Sequence, residues 1–507
     1  MSQTTPVSME SIDAPHPFNQ PSADLILRTA DLVDFHVHSQ ILAQASPFFA
    51  TMLTLPQPTA ASFTTPNGAT RLERTPVVPV SEDSAALELL LRIVYPVSEP
   101  LAKTVDPQAL ASALLAATKY EMELPVEIMT AKLAALTTEL PLQVWSVACR
   151  VGLEDVALLA AEVLKASGTH KADTEALVLM DSLGDMTGIS AGDYYRLKRF
   201  LAGKLVLNLL SPLGNELGDT PILPARSLFS TDIPDANIKC QPSSRHGATT
   251  SFLAHQSVLC SQSSVLKARI LNFRNIASIT SPLPSMEPLM LELDDNPEVI
   301  SMLLTACYDN EDTLPTDLPR IADLLTASEK YGMTRVVRRV HRAWNEAAAV
   351  RPLEAYFVAL AHDLEECAKA AAKHILAGPV ADAYVNIMDR APALQYHRLL
   401  VYYDACRHVA RERLDQAYAQ VPDRVWVSCD DCDDDTDVPT TDIKARLRHV
   451  IHTEPHSPRG DLRTTLRDAV IQAGTGRGQF SSFAASLIKC VVSVPDEIDR
   501  ALNDIIL

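Results

Sequence analysis

One pattern is written twice in the chain, and that repetition limits what it can fold into. Phe35-His36-Val37-His38-Ser39-Gln40-Ile41-Leu42 returns as Phe252-Leu253-Ala254-His255-Gln256-Ser257-Val258-Leu259. Leu114, Ala116, Lys119, Tyr120 and Met122 return as Leu325, Ala327, Lys330, Tyr331 and Met333. The offset is 255 − 38 = 217 at the first motif and 331 − 120 = 211 at the second. So small a drift over so long a stretch describes one domain duplicated, with short loop insertions. A solenoid repeat is a single supersecondary unit of roughly 20–50 residues, so at this period each copy must close its own core.

Apolar residues make up 47% of the chain and aromatics only 5%, so Leu, Val and Ala must fill those cores. The balance of 44 basic against 63 acidic residues gives −19. Binding a phosphate backbone needs clustered Lys and Arg. An acidic chain read as having no basic stripe argues against nucleic acid, and against an anionic membrane surface, as direct partners. The nine cysteines are scattered and do not resemble a disulfide framework. Residues 1–20 lack the apolar core of a secretory signal, and no run approaches the ~18 apolar residues of a membrane span. The expectation is a soluble protein of the cytoplasm or nucleus.

Local pattern places the elements. Asp24–Leu27 and Asp34–Val37 read as two strands of a hairpin. His38 opens a helix, and Ser46-Pro47-Phe48-Phe49 starts the next, Pro being tolerated in a first turn. Leu87, Leu90, Leu91 and Val94 fall at i, i+3, i+4 and i+7. Their twins are Ile300, Leu303, Leu304 and Cys307, with Asp83 and Asn296 as the respective caps. Pro141-Leu142 and Leu153-Glu154 also recur, at Pro352-Leu353 and Leu364-Glu365, inside Ala-rich helices.

Strand, strand, His, Ile-Leu-Ala-x-x-Ser-Pro-Phe-Phe, strand, an amphipathic helix ending in Tyr, and Leu-Leu-Ala-Ala-x-Lys-Tyr-x-Met together resemble the BTB/POZ domain. The likeness covers Asp24–Met122 closely and Asp235–Met333 more loosely, with Ser-Pro-Phe-Phe replaced by Ser263-Ser264-Val265-Leu266. The helices that follow each copy resemble the BACK-type extension, and the tandem form with an acidic tail is similar to BTB proteins of fungi. The expected fold class is α+β: two BTB/POZ-like modules, each with a helical extension, and a small C-terminal region. The expected divisions are a disordered tail at 1–21, copy 1 at 22–124, its extension at 125–210 and a linker at 211–224. Copy 2 is expected at 225–335, its extension at 336–420, and an acidic Cys-x-x-Cys region and helix at 421–507.

The resemblance implies a non-enzymatic interaction module. Members dimerise, and many hand substrates to cullin-type ubiquitin ligases or recruit transcriptional partners. In members with a charged dimer pocket, an Asp of the first strand meets a basic residue just after the His. Here Asp24 and Asp235 face Ser39 after His38 and Gln256 after His255, so that pocket is not expected and each acid should be exposed or hydrogen-bonded. The hydrophobic-x-Glu signature of many cullin adaptors has no clean match in Leu72-Glu73 or Met286-Glu287, which leaves cullin binding open. The two copies could pair within one chain or form a homodimer.

Three further patterns carry chemistry. His38 and His255 recur, but no nucleophile or orienting acid recurs beside both, so they are expected to satisfy local backbone groups. Gly188-Ile189-Ser190-Ala191-Gly192 spells a nucleophile elbow, which works only where a strand enters the turn. None is expected there, and a serine hydrolase using Ser190 is kept as an alternative. Cys429 and Cys432, with His452 and His456, could hold zinc through two thiolates and two imidazoles. The competing reading is an exposed acidic loop without cofactor.

Overall fold

The computed structural model describes residues 11–55, 75–96, 106–167, 173–211, 236–240, 250–280, 289–308, 314–376, 380, 383–420, 424–429, 432–439 and 500. The chain divides into two compact units, Met1–Leu213 and Gly214–Leu507.

Unit 1 begins with β1 (Ile12–Asp13), β2 (Leu25–Arg28), β3 (Val33–Val37), α1 (Ser39–Ala45), α2 (Pro47–Thr54) and β4 (Val77–Pro79). Helices follow: α3 (Ser84–Val94), α4 (Pro107–Lys119), α5 (Glu123–Ala135), α6 (Pro141–Val151), α7 (Glu154–Ala166), α8 (Asp173–Asp181) and α9 (Ala191–Leu201). The sheet order is β1-β3-β2-β4, with β2 antiparallel to β3 and parallel to β4. Leu25 and Leu27 are buried and alternate with half-buried Ile26 and Arg28, because successive side chains leave opposite faces of a strand.

Unit 2 repeats the plan with β5 (Ala236–Cys240), β6 (Thr250–Ala254), α10 (Gln256–Gln262), α11 (Ser264–Thr280), β7 (Leu289–Leu293) and α12 (Pro297–Tyr308). It continues through α13 (Leu318–Lys330), α14 (Thr334–Val350), α15 (Pro352–Ala361), α16 (Glu365–Ile375) and α17 (Ala393–Gln420). The sheet order β6-β5-β7 reproduces β3-β2-β4, with the same strand directions. Register gives the sharper test. Ile26 lies between His36 and Val77, and Asn237 lies between Leu253 and Met290. Those pairs are offset by 211, 217 and 213, the offsets carried by the sequence motifs.

The amphipathic stripes become core. Leu87, Leu90 and Leu91 on α3 are buried, as are Ile300, Leu303 and Leu304 on α12. Each such side chain contributes about 1.5–3 kcal/mol on leaving water. The Asp83 carboxylate accepts from the Ala86 amide at 2.8 Å, and the Asn296 carbonyl accepts from the Glu298 amide at 3.0 Å. Each relieves one of the unpaired amides of a first helical turn. Trp145 on α6 and Trp344 on α14 are fully buried, one in each unit.

The structure corrects two expectations. Residues 11–21 are not a disordered tail. Ile12 and Ala14 donate backbone N–H to Leu32 and Asp34, and the Phe18 ring is fully buried, 5.7 Å from Phe35 and 5.3 Å from Tyr95. One aromatic and a short parallel pairing anchor a segment whose Ser/Pro/Gln content suggests none. Second, the described part of the acidic stretch is not a loop: β8 (Arg424–Cys429) and β9 (Cys432–Pro439) pair antiparallel, with Trp426 opposite Asp437. Pairing with Val425, Trp426 and Val427 overrides the low strand preference of Asp. At Ser190, as expected, no strand enters: α8 and a turn precede it where a nucleophile elbow needs a strand. Residues 1–10, Asp235, most of the expected linker, His452, His456 and the expected helix near Phe483–Val492 lie outside the described residues.

Candidate functional site

The recurring histidine marks the strand-to-helix junction of each copy. In copy 1 the His38 backbone N–H donates to the Tyr95 hydroxyl at 2.7 Å, and the ring Nε2 lies 3.2 Å from the Ser22 hydroxyl. In copy 2 the His255 N–H donates to the Tyr308 hydroxyl at 2.7 Å, with ring Nδ1 3.0 Å from the same oxygen. The amide follows the last sheet residue and precedes the helix, so neither ladder uses it. A tyrosine at the end of α3 or α12 supplies the acceptor and ties the hairpin to that helix. Burial pushes the Tyr95 hydroxyl up from its ordinary value, so it stays protonated.

Asp24 sits at the mouth of the same junction. Its carboxylate accepts from the Ser39 amide at 2.7 Å and the Ser39 hydroxyl at 2.6 Å. Partial burial raises the carboxyl, but those two hydrogen bonds outweigh it and hold the group below the usual carboxylate range. Asp24 therefore serves as an acceptor for the first turn of α1, with a hydroxyl where a charged pocket would place a cation. In copy 2 the Gln256 carbonyl accepts from the Arg274 guanidinium at 2.8 Å.

A second recurring set locks the helices. The Ser46 hydroxyl donates to the Tyr120 carbonyl at 2.5 Å and accepts from the Phe49 amide at 3.0 Å. Ser263 does the same with Tyr331 at 2.5 Å and the Leu266 amide at 2.9 Å. The Tyr120 hydroxyl donates to Glu82, which also receives Lys119 at 2.8 Å. Tyr331 and Lys330 converge in the same way on Asp295. Burial, then the adjoining carboxylate, pushes both tyrosine hydroxyls far up. The Lys-Tyr pair was legible in the sequence; its carboxylate partner was missed, although 82 and 295 share the 213 offset of the neighbouring caps.

Ser190 caps α9. Its hydroxyl accepts from the Asp193 amide at 2.9 Å, and its own amide donates to the Asp193 carboxylate at 3.2 Å, a reciprocal capping box. The hydroxyl also lies 2.8 Å from that of Ser211, closing the end of the extension. In the C-terminal strand pair, Cys429 and Cys432 are register partners.

The match to the BTB/POZ domain family covers residues 17–136 and again 228–347. The chain is a tandem BTB/POZ protein. No curated protein matches it. The matched ranges run past the boundaries expected at 124 and 335 and take in α5 and α14, so each BTB/POZ copy includes the helix after its Lys-Tyr-x-Met motif. BTB domains are protein-interaction modules that also dimerise. No helix among the described residues is long and apolar enough to cross a membrane.

The two BTB/POZ copies differ in the charge of their last matched helix. On α14, Arg335, Arg338 and Arg342 are exposed at i, i+3 and i+7. The expectation of no basic stripe is therefore corrected. The net charge of −19 concealed a local run in which arginines recur at helical spacing.

Proposed function

We propose that this tandem BTB/POZ protein is a non-enzymatic adaptor, each copy offering a binding surface held rigid by its own core. One observation carries the reading. The polar residues that recur between copies are occupied in fixing backbone: His38 and His255 through tyrosines, Ser46 and Ser263 through helix ends. A duplicated module that spends its recurring polar groups on architecture supplies surfaces, and recruitment to a cullin ligase or a transcriptional complex is the use those surfaces fit. The test is capture of partners by the intact protein and by variants with one copy's surface altered. Capture of a cullin scaffold by either copy supports the ligase version, and capture by neither removes it. Light scattering decides the pairing: one chain per particle assigns it within the chain, and two assigns it between chains.

The C-terminal strand pair favours one additional reading. We infer it from two facts: Cys429 and Cys432 are register partners, and a tetrahedral zinc site can draw two of its four ligands from a Cys-x-x-Cys pair. His452 and His456 would complete the set. Elemental analysis of the purified full chain tests this, and protein without zinc dismisses it.

A further inference from the structure

The two copies share a scaffold but not the charge of one helix face. α5 and α14 are offset by 211 and bury equivalent positions: Pro125, Met129 and Leu133 in one, Val336, Val340 and Trp344 in the other. Their outward stripes have diverged. Leu124, Glu127 and Ala131 in copy 1 stand where copy 2 has Arg335, Arg338 and Arg342, and all six are exposed. The stripe changes from one negative charge to three positive ones on a chain whose net charge is −19. The buried faces remain apolar in both, so the change is confined to the outward face.

We propose that the α14 arginine stripe is a docking surface of copy 2 for an acidic, extended peptide segment of a partner protein. This deepens the adaptor reading and rests on it. Seven residues of helix separate Arg335 from Arg342, about 10.5 Å along the axis. An extended peptide sets alternate side chains about 6.6–6.8 Å apart, so two or three carboxylates span the stripe. The Arg338 and Arg342 guanidinia can each grip a carboxylate through paired N–H donors, whereas Arg335 already interacts within the chain and adds its charge to the stripe. A short peptide with few charges feels the stripe within a screening length of about 8 Å. A long polyanion also meets the repulsion of the acidic chain around it, which favours a peptide over nucleic acid. The chain's own acidic run at 430–437 is the competing occupant.

The test uses the full chain and a short fluorescein-labelled peptide of alternating Glu and Ser, read by fluorescence anisotropy at low and physiological salt. The expected result is saturable binding that weakens with salt. Arg338→Glu with Arg342→Glu should weaken it about tenfold or more, whereas Glu127→Ala in copy 1 should leave it unchanged. A second pair, Arg338→Gln with Arg342→Gln, guards against misfolding and should also weaken binding while melting like the parent. Unchanged affinity in both pairs, no binding by the parent, or tighter binding of single-stranded DNA of equal charge overturns the proposal. Binding that appears only after the aspartates of 430–437 are changed to Asn also overturns it, because the stripe then belongs to the chain's own segment. These outcomes leave the adaptor reading standing, since that reading fails only when partner capture by the intact protein fails.

Discussion

Ser46→Ala tests the architecture at one oxygen atom. The side chain is fully buried, and its hydroxyl both donates to the Tyr120 carbonyl and accepts from the Phe49 amide. Loss of a helix cap of this type costs about 1 kcal/mol. Leaving a buried carbonyl without a donor costs a further ~1–3 kcal/mol. The expected destabilisation of unit 1 is therefore about 2–4 kcal/mol. For a unit of this size each kcal/mol lowers Tm by about 2–4 °C, so a loss near 3 kcal/mol predicts a fall of about 6–12 °C. Trp145 lies in unit 1, so urea or thermal unfolding followed by its fluorescence in a Trp344→Phe, Trp426→Phe background isolates the effect. Ser263→Ala should do the same to unit 2, read through Trp344. Ser264→Ala is the control: it is the next serine, but its contact with the Gly332 carbonyl is exposed at 3.5 Å, so its cost should stay within about 0.5 kcal/mol. If Ser46→Ala and Ser264→Ala prove equally mild, the buried hydroxyl is not the lock described here.

Three other outcomes follow from the same geometry. Paired hydrogen bonds from Arg28 hold the Asp34 carboxyl below its ordinary value, against partial desolvation and with help from Ser11. A depressed carboxyl contributes stability that is present above its unfolded value of about 3.9 and lost as pH falls through the folded one; Asp34→Asn should therefore flatten the acid limb of Tm against pH, and an equally steep limb would refute it. Burial pushes the Cys307 and Cys367 thiols up to about 11, so iodoacetamide at neutral pH should spare both in the native protein; mass spectrometry finding either alkylated before unfolding contradicts the packing. Ser190→Ala should lower the stability of unit 1 by about 1 kcal/mol through its lost cap and leave ester turnover at the solution background, whereas a drop in turnover would revive the hydrolase.

The parts legible in the sequence are those with local period. Alternation over Leu25–Val37 and the Leu87/Leu90/Leu91 stripe report burial directly, and both recur, so chance agreement is remote. Ser46-Pro47 announced a helix start for the same reason. β1 was hidden because two residues carry no period, and its partner lies about twenty positions on. Tyr95 was visible as the end of a helix, but its use depends on a contact 57 residues away in sequence. β9 ran against composition, since an Asp-rich segment gives no strand signal and its pairing comes from the apolar strand opposite. The arginines of α14 were plain in the sequence but were averaged away by a whole-chain charge, which sets the long-range field and does not resolve a single face.

The offsets between copies move in three steps. Six residues are gained between β2 and β3, four are lost between α2 and β4, and two are lost between α3 and α4, after which the copies run at a constant 211 through α7 and α16. Strand register and the Ser46/Ser263 and Asp83/Asn296 caps survive the first two steps. Those three connections are therefore where the backbone tolerates a change of length between copies. An epitope, a fluorescent domain or a new pair of termini placed between α2 and β4 or between α3 and α4 would leave both cores closed, whereas a graft in the β2–β3 turn would break the Leu32 and Asp31 bonds to Ile12 and Ser84, and one between α4 and α5 would cut through the Lys-Tyr lock.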